Sequence, residues 1–415
     1  MKRGEKTDRP ASGDAEGRRF FIVSHTFPPA PGIGGRRWAK FAKYLRRAGA
    51  RVHVLRATLG DQGSPWTEDV ADISQSTYAH SFPKILDAVP VSLSGKIRYR
   101  TALLYNRLRS SGTPYDRALF DEASFLRALR KGLEREQPDT LIVSAAPFLL
   151  LKYALQLRGD FPAIRFVADL RDPWTSGTSY GYRALRGRRK AYEEDSEAEA
   201  VRGFDLLLTP WETLAADLAA KYPDAAQKIK VLPHCYDADE TVPRERKPLR
   251  AVPLLCYGGN LYSGEQKVWK VLSDAARSGK IEVVLRSSRI PGPISDLCHA
   301  HFRAEEPVSS RTFFAEAARA DWLLYPVPFE LRNGNPTKLP EFAATGVPVL
   351  AFGAEGSLSA AITRHEIGVW LDDGIDAESM LRIVTSPPGL HPDQAFIKSF
   401  EAAAVTRDLL RITDI

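Results

Sequence analysis

The stretch VADLRDPW (167–174) ends a hydrophobic run with two carboxylates and a guanidinium, Asp169, Arg171 and Asp172. An open α/β sheet binds its ligands just beyond the C-terminal ends of its strands, so the three are candidate catalytic residues, a general base and a hydroxyl binder. Arg171 and Asp172 could equally cap and brace the loop. A second stretch, NGNPTKLPEFAATGVPVLAF (333–352), reads as loop, short helix, turn and buried strand. Asn335 suits an N-cap and Pro336 the first helical position, which puts Thr337 and Lys338 in the first turn. The positive end of a helix favours an anion, and a lysine there implies a negative ligand opposite. Glu341 follows three residues later on the same face, about 4.5 Å along the axis. A phosphate at the helix mouth and a ribose diol at Glu341 fit that separation; a surface ion pair worth a few tenths of a kcal/mol is the plain alternative. A third stretch, GIGGRRW (32–38), holds Gly34 and Gly35 ahead of Arg36 and Arg37. It lacks the third glycine of a dinucleotide fingerprint, and no acid follows about twenty residues on. What remains is a glycine turn whose free N–H groups, with Arg36 and Arg37 as nearby cations, suit a diphosphate, or glycines that only shape the turn.

These residues need elements to carry them. FFIVSH (20–25), the glycine loop, a helix from about Arg36 to Ala48 with Trp38, Phe41, Ala42 and Leu45 on its apolar face, and RVHVL (51–55) form a βαβ unit. TLIVSAAP, RFVADLRDPW, FDLLLTP and KIKVLPHCYD continue the alternation. After a charged, proline-bearing segment at 237–253, which reads as a linker, LLCYGG, IEVVLRSS, ADWLLYPV and VPVLAF begin a second series. The expected domains are therefore a disordered tail over 1–18, a Rossmann-like domain over 19–236, the linker, a second such domain over 254–390 and a terminal helical segment over 391–415.

Composition bounds the function classes. At 415 residues the chain exceeds one ordinary core, and 44% hydrophobic with 26% charged residues is that of a soluble globular protein. The longest apolar runs are about half a membrane span, and no signal-peptide core follows the polar N-terminus. Three scattered cysteines argue for a reducing compartment, and CHAHF (298–302) matches no metal spacing, so no metal site is expected. The net charge of +7 is uneven: Arg18 to Gly60 holds ten Lys/Arg and no acid, a field suited to an anionic partner. No nucleic-acid motif accompanies it, so nucleic acid is not an expected partner. In 97–109, Ile97, Leu104 and Leu108 form a narrow apolar stripe flanked by Arg98, Arg100, Arg107 and Arg109. That pattern fits either a helix lying on an anionic membrane or a packed helix with snorkelling arginines. RALRGRRKAYEEDSEAEA (183–200) reads as a self-paired solvated helix.

From residue 20 onward the chain resembles GT-B glycosyltransferases of family 4, notably bacterial surface-polysaccharide enzymes. The resemblance rests on FIVSHTFPPAPGIGG…LRRAGARVHVL, FVADLRDPW, YGGNLYSGEQKVWKVL and NPTKLPEFAATGVPVLAF, in that order. It implies an α/β fold of two facing Rossmann-like doubly wound domains with the active site in the interdomain cleft. The acceptor would sit on the N-terminal domain and the nucleotide-sugar on the C-terminal one, with the last helix crossing back. It further implies metal-independent transfer with retention and no cofactor beyond the nucleotide-sugar substrate. Gly34 and Gly35 match the loop approaching the donor diphosphate, and Glu341 matches the second glutamate of a paired motif that binds ribose hydroxyls. Gly346 and Pro348 keep the expected offsets. The first glutamate of the pair is replaced by Asn333, beside Gly334, and Thr337 and Lys338 are expected to take over part of the donor contact. Gly259 and Lys267 are the remaining donor-side candidates, Lys267 as the family's basic residue. The implied function is transfer of a sugar to a glycan or lipid-linked acceptor in surface polysaccharide synthesis, in the cytoplasm or at the inner face of the cell membrane. The alternative, motivated by Asn333, is a catalytically silent nucleotide- or glycan-binding subunit of an assembly complex. A nucleotide-sugar epimerase lacks a visible carboxylate and histidine set at one site.

Overall fold

The computed structural model describes residues 15–30, 32–60, 63–87, 90–177, 179–244, 249–261, 266–288, 290–329, 332–334, 337–372 and 374–414. It divides into two compact units, one reaching to Pro233 and taking in the residues from Thr406, the other running from His234 to Val405.

The first unit is built on seven parallel strands: β1 (Arg19–Ser24), β2 (Arg51–Ala57), β3 (Ser74–Tyr78), β4 (Thr140–Ala145), β5 (Arg165–Leu170), β6 (Leu206–Thr209) and β7 (Ile229–Val231), in the order 3-2-1-4-5-6-7. Its helices are α1 (Arg36–Arg47), α2 (Leu93–Arg109), α3 (Glu122–Glu136), α4 (Leu149–Leu155), α5 (Gly187–Gly203) and α6 (Glu212–Lys221). The central strands are apolar throughout because both faces are covered. Ile22 lies in register between Val54 and Ile142, and Phe21, Val23, Leu141, Val143 and Phe166 share a core with Phe125, Leu129 and Leu133 of α3.

The second unit has six parallel strands: β8 (Leu254–Gly258), β9 (Glu282–Arg286), β10 (Phe302–Glu305), β11 (Trp322–Val327), β12 (Val349–Gly353) and β13 (Gly368–Leu371), in the order 10-9-8-11-12-13. Its helices are α7 (Gln266–Arg277), α8 (Gly292–Ser295), α9 (Ser310–Ala317), α10 (Lys338–Thr345), α11 (Ser357–Arg364), α12 (Ala377–Thr385) and α13 (Gln394–Ser399); α14 (Ala402–Ile412) begins here and ends with the first unit. Apolar residues on the sheet's two faces form two clusters, one around Trp269 and Leu324, the other around Phe314, Leu323 and Phe342. In both units strand order reverses beside the first strand, between β1 and β4 and between β8 and β11, where open sheets leave a crevice for ligands.

Several expectations change. Residues 15–18 are not a tail: Ala15 is buried, its N–H donates to the Ala48 carbonyl, and Arg18 donates to Leu410 O (3.0 Å). Helix α5 is solvated on one face only, where Lys190 pairs with Glu194 (3.1 Å), while Glu193 and Glu197 turn inward. Glu193 accepts from Thr113 N–H and Trp174 Nε1–H, and Glu197 accepts from the Thr175 and Tyr222 hydroxyls. The segment taken as a linker packs on the second unit, where Arg244 donates its N–H to Thr345 O (2.7 Å) and pairs with Asp321 (3.3 Å). Five of the ten basic residues of the block pair with acids outside it: Arg18 with Asp414, Arg19 with Asp139, Arg37 with Asp169, Lys43 with Asp69 and Arg46 with Asp72. Its field on an outside partner is correspondingly weaker than sequence charge implies.

Candidate functional site

Each unit gathers sequence-predicted residues at its own switch point. In the first, the loop after β1 folds back on itself. A Cβ on Gly35 would stand 2.4 Å from Thr26 O and 2.8 Å from Phe27 Cα, so only glycine permits this return into α1. Arg171, in the loop after β5, crosses the switch point: one Nη donates to the Gly34 carbonyl and the other to Ala146 O (3.1 Å), beyond β4. Arg171 therefore braces the glycine loop, the bracing role that its sequence context had left open.

Asp169 departs from its expected part as a base. It is fully buried and accepts from Arg37 Nη2 (3.1 Å), Trp38 Nε1 (2.7 Å) and Ser144 Oγ (3.0 Å), so its oxygens are occupied by three side chains of α1 and β4. Arg37 also donates to Leu232 O (2.7 Å) and Pro233 O (3.1 Å). Neighbouring Arg36 is buried with its guanidinium 5.0 Å from the Trp66 ring centroid. Of the two arginines expected to meet an anion, Arg37 is committed to the fold and Arg36 is covered. Asp172 is the carboxylate left accessible, half its side-chain surface reaching solvent, 3.8 Å from Arg171 Nε. The surrounding protein raises its pKa above the usual carboxylate value, Arg171 opposes, and Asp169 adds to the rise.

In the second unit Lys338 occupies the first position of α10, after Thr337, which caps without a side-chain hydrogen bond. Asn335 and Pro336, the expected start signals, lie outside the described residues. Lys338 spans the switch point from the β11 side: its Nζ donates to Tyr257 OH on β8 (3.0 Å) and lies 4.7 Å from that ring's centroid. Gly259, with φ +141°, makes room, since a Cβ there would collide with Lys338 Nζ. Glu341 is buried within the same first turn. Lys267 is exposed in the first turn of α7, whose start follows β8. Gly334 is buried next to Asn333, which is exposed with its Oδ1 accepting the Ser357 N–H (3.1 Å) at the start of α11. Asn333 is thus a capping residue for the next helix.

Sequence reasoning missed a histidine–carboxylate set in the first unit. His25 follows β1, His80 follows β3 and Asp121 precedes α3; the three stand up to 96 positions apart with no local motif. Helix α2 contains the 97–109 stripe that the sequence marked, and the structure exposes it where the packed alternative would have buried it. Apart from Asn106 its described side chains escape full burial, and Leu93, Ile97, Leu104, Tyr105 and Leu108 are all exposed. The structure has no helix, among the described residues, long and apolar enough to cross a membrane.

Residues 34–240 match the model of Glycosyltransferase Family 4. No curated protein matches the chain. Among solved structures, the sucrose-phosphate synthase of Thermosynechococcus elongatus superposes with a TM-score of 0.56 at 14% identity, covering 95% of this chain and 94% of that one. HepE of Anabaena, in complex with UDP-glucose, gives 0.53 at 12% identity over 94% of each chain. A putative UDP-N-acetylglucosamine 2-epimerase of Listeria monocytogenes gives 0.57 at 12% identity, again over 94% of each. At such identities these likenesses establish the two-domain GT-B α/β fold, which transferases and an epimerase share.

Proposed function

We infer, from a chain whose residues 34–240 belong to glycosyltransferase family 4, that it moves a sugar from a nucleotide-sugar donor to a glycan or lipid-linked acceptor with retention at the sugar carbon. The observation that carries this reading is Lys338, held at the mouth of α10 by Tyr257 across the β8/β11 switch point. The first-turn N–H groups of a helix lack intrahelical partners, and a cation beside them makes a diphosphate the natural ligand. Glu341, one turn deeper, is then the ribose partner, and Thr337, Gly259, Gly334 and Lys267 shape the donor side. Charge developing on the departing diphosphate is met by fixed N–H dipoles and a lysine, so transfer proceeds by electrostatic stabilisation and without a metal ion.

On the acceptor side we assign Asp172 to orient the incoming hydroxyl, Arg171 to hold the glycine loop of Gly34 and Gly35, and Asp169 to hold Arg37 and α1. A lipid-linked acceptor agrees with α2, whose exposed leucines are interleaved with Arg98, Arg100, Arg107 and Arg109. We propose that it rests on an anionic membrane at the inner face of the cell membrane, during surface polysaccharide synthesis. The second reading, a silent binding subunit, draws on Asn333, which caps α11 where the family pattern wants an acid.

Purified protein is incubated with UDP-, GDP-, ADP- and dTDP-sugars and membrane-extracted lipid-linked glycans, with diphosphate release and product anomers followed by NMR. Transfer with retained configuration is expected. Donor binding without turnover across acceptors supports the silent subunit, and an epimerised donor in the same spectra overturns both.

A further inference from the structure

We propose that the first unit binds a divalent first-row transition ion, of the Zn²⁺ class, through His25, His80 and Asp121. One donor atom from each residue lies within 4.8 Å of the others, at the C-terminal ends of β1 and β3 and the N-terminus of α3. Two imidazoles and a carboxylate are a donor set that zinc accepts, with a fourth position left open.

The argument rests on how the three residues are held. His25 is 4% exposed; its Nδ1 shares a hydrogen bond with Tyr78 OH (2.7 Å), and its Nε2 is buried with no partner. A buried ring nitrogen without a partner is destabilising, and coordination to a cation removes that cost. Its ring meets the His80 ring edge to face at 4.8 Å. His80 Nδ1 stands 2.7 Å from Asp121 Oδ2, and Asp121 Oδ1 accepts the Ser81 N–H (2.9 Å). Every candidate ligand is therefore oriented by an outer partner or by another ligand, as metal ligands are. The Tyr78 hydroxyl holds the His25 ring, and the Ser81 amide holds the carboxylate. Arg117, one of the cations whose charge acts on His25, pairs with Asp87 (3.0 Å). Tetrahedral zinc at about 2.1 Å from each donor wants donors about 3.4 Å apart. The His80–Asp121 hydrogen bond, at 2.7 Å, must therefore open on coordination while any separation nearer 4.8 Å closes, an adjustment left to the incompletely buried His80.

Such an ion would tie the end of β1, from which the glycine loop departs, to β3 and α3. The proposal does not depend on the transfer reading.

Tag-free protein, stripped with a chelator, is titrated with Zn²⁺ and with Co²⁺. We expect one equivalent of either ion, a visible Co²⁺ ligand-field band, and a higher melting temperature with Zn²⁺. His80→Gln should weaken binding at least 100-fold. Tyr78→Phe, which removes only the outer hydroxyl, should weaken it by about 10–100-fold while circular dichroism stays native. His299→Gln, in the other unit, should leave binding unchanged. Failure of the wild-type protein to take up one equivalent overturns the proposal, as does binding that survives both Tyr78→Phe and His80→Gln or that is lost in His299→Gln.

Discussion

Replacing Asp169 separates a scaffold carboxylate from a catalytic one. In Asp169→Ala, the Arg37 guanidinium loses its buried counter-charge while remaining 6% exposed, and Trp38 Nε1 and Ser144 Oγ lose their acceptor. Breaking one side of a buried ion pair costs about 3–5 kcal/mol, and each orphaned neutral donor a further 1–3 kcal/mol when nothing relaxes. The terms overlap, because Arg37 keeps its bonds to Leu232 O and Pro233 O, so the net loss should be about 4–6 kcal/mol. For a unit of this size that lowers the melting temperature by roughly 10–20 °C. Differential scanning calorimetry reads the shift directly. Asp172→Ala, half exposed, is the companion variant and should melt within about 2 °C of wild type. If Asp169→Ala melts like wild type and loses only turnover, the scaffold assignment is wrong and Asp169 is the base that its sequence context suggested.

Four further outcomes are expected. Lys338→Ala should weaken nucleoside-diphosphate binding by about 10–100-fold in calorimetric titration, since it removes the cation that donates to Tyr257 OH beside the start of α10. Gly259→Ala, whose Cβ would displace Lys338 Nζ, should give a similar loss by a different route. Leu104→Glu with Leu108→Glu, at positions 57% and 77% exposed, should leave melting unchanged yet abolish sedimentation with anionic liposomes at low salt. Burial raises the Asp116 pKa from 3.8 to about 7 against the pull of three backbone N–H groups. The folded state therefore holds this proton where the unfolded state has lost it, and the associated stability, complete below about pH 4, is lost as pH rises towards 7. The melting temperature of Asp116→Asn should fall less steeply than wild type over that interval.

The interior of each sheet was legible because strands covered on both faces must be apolar: FFIVS, TLIVSA, RFVADL and WLLYPV announce themselves. The three strands that sequence analysis did not identify, β3 (SQSTY), β10 (FRAE) and β13 (GVWL), all lie at sheet edges, where one neighbour is missing and polar residues are tolerated. The site was legible in part for a related reason. Glycines and a lysine at a helix mouth are local signals, and they do lie at the switch points. Partners brought in from distant sequence are not local: Asp169 is filled by Arg37 132 positions away, and Lys338 meets Tyr257 81 positions away. Helix α5 misled for the opposite cause, since its alternating charges satisfy a local pairing pattern while its acids serve Trp174, Thr113 and Tyr222.

The central claim is that the second unit holds a nucleoside diphosphate through Lys338 and the start of α10, and thermal melting against UDP, GDP, ADP, CMP and dTDP tests it most directly. A ligand that binds only the folded state at a hundred times its Kd adds about 2.7 kcal/mol. One nucleotide should therefore raise the melting temperature by roughly 5–10 °C, and Lys338→Ala should erase that rise. No shift with any of the five, or a shift that persists in Lys338→Ala, contradicts the account.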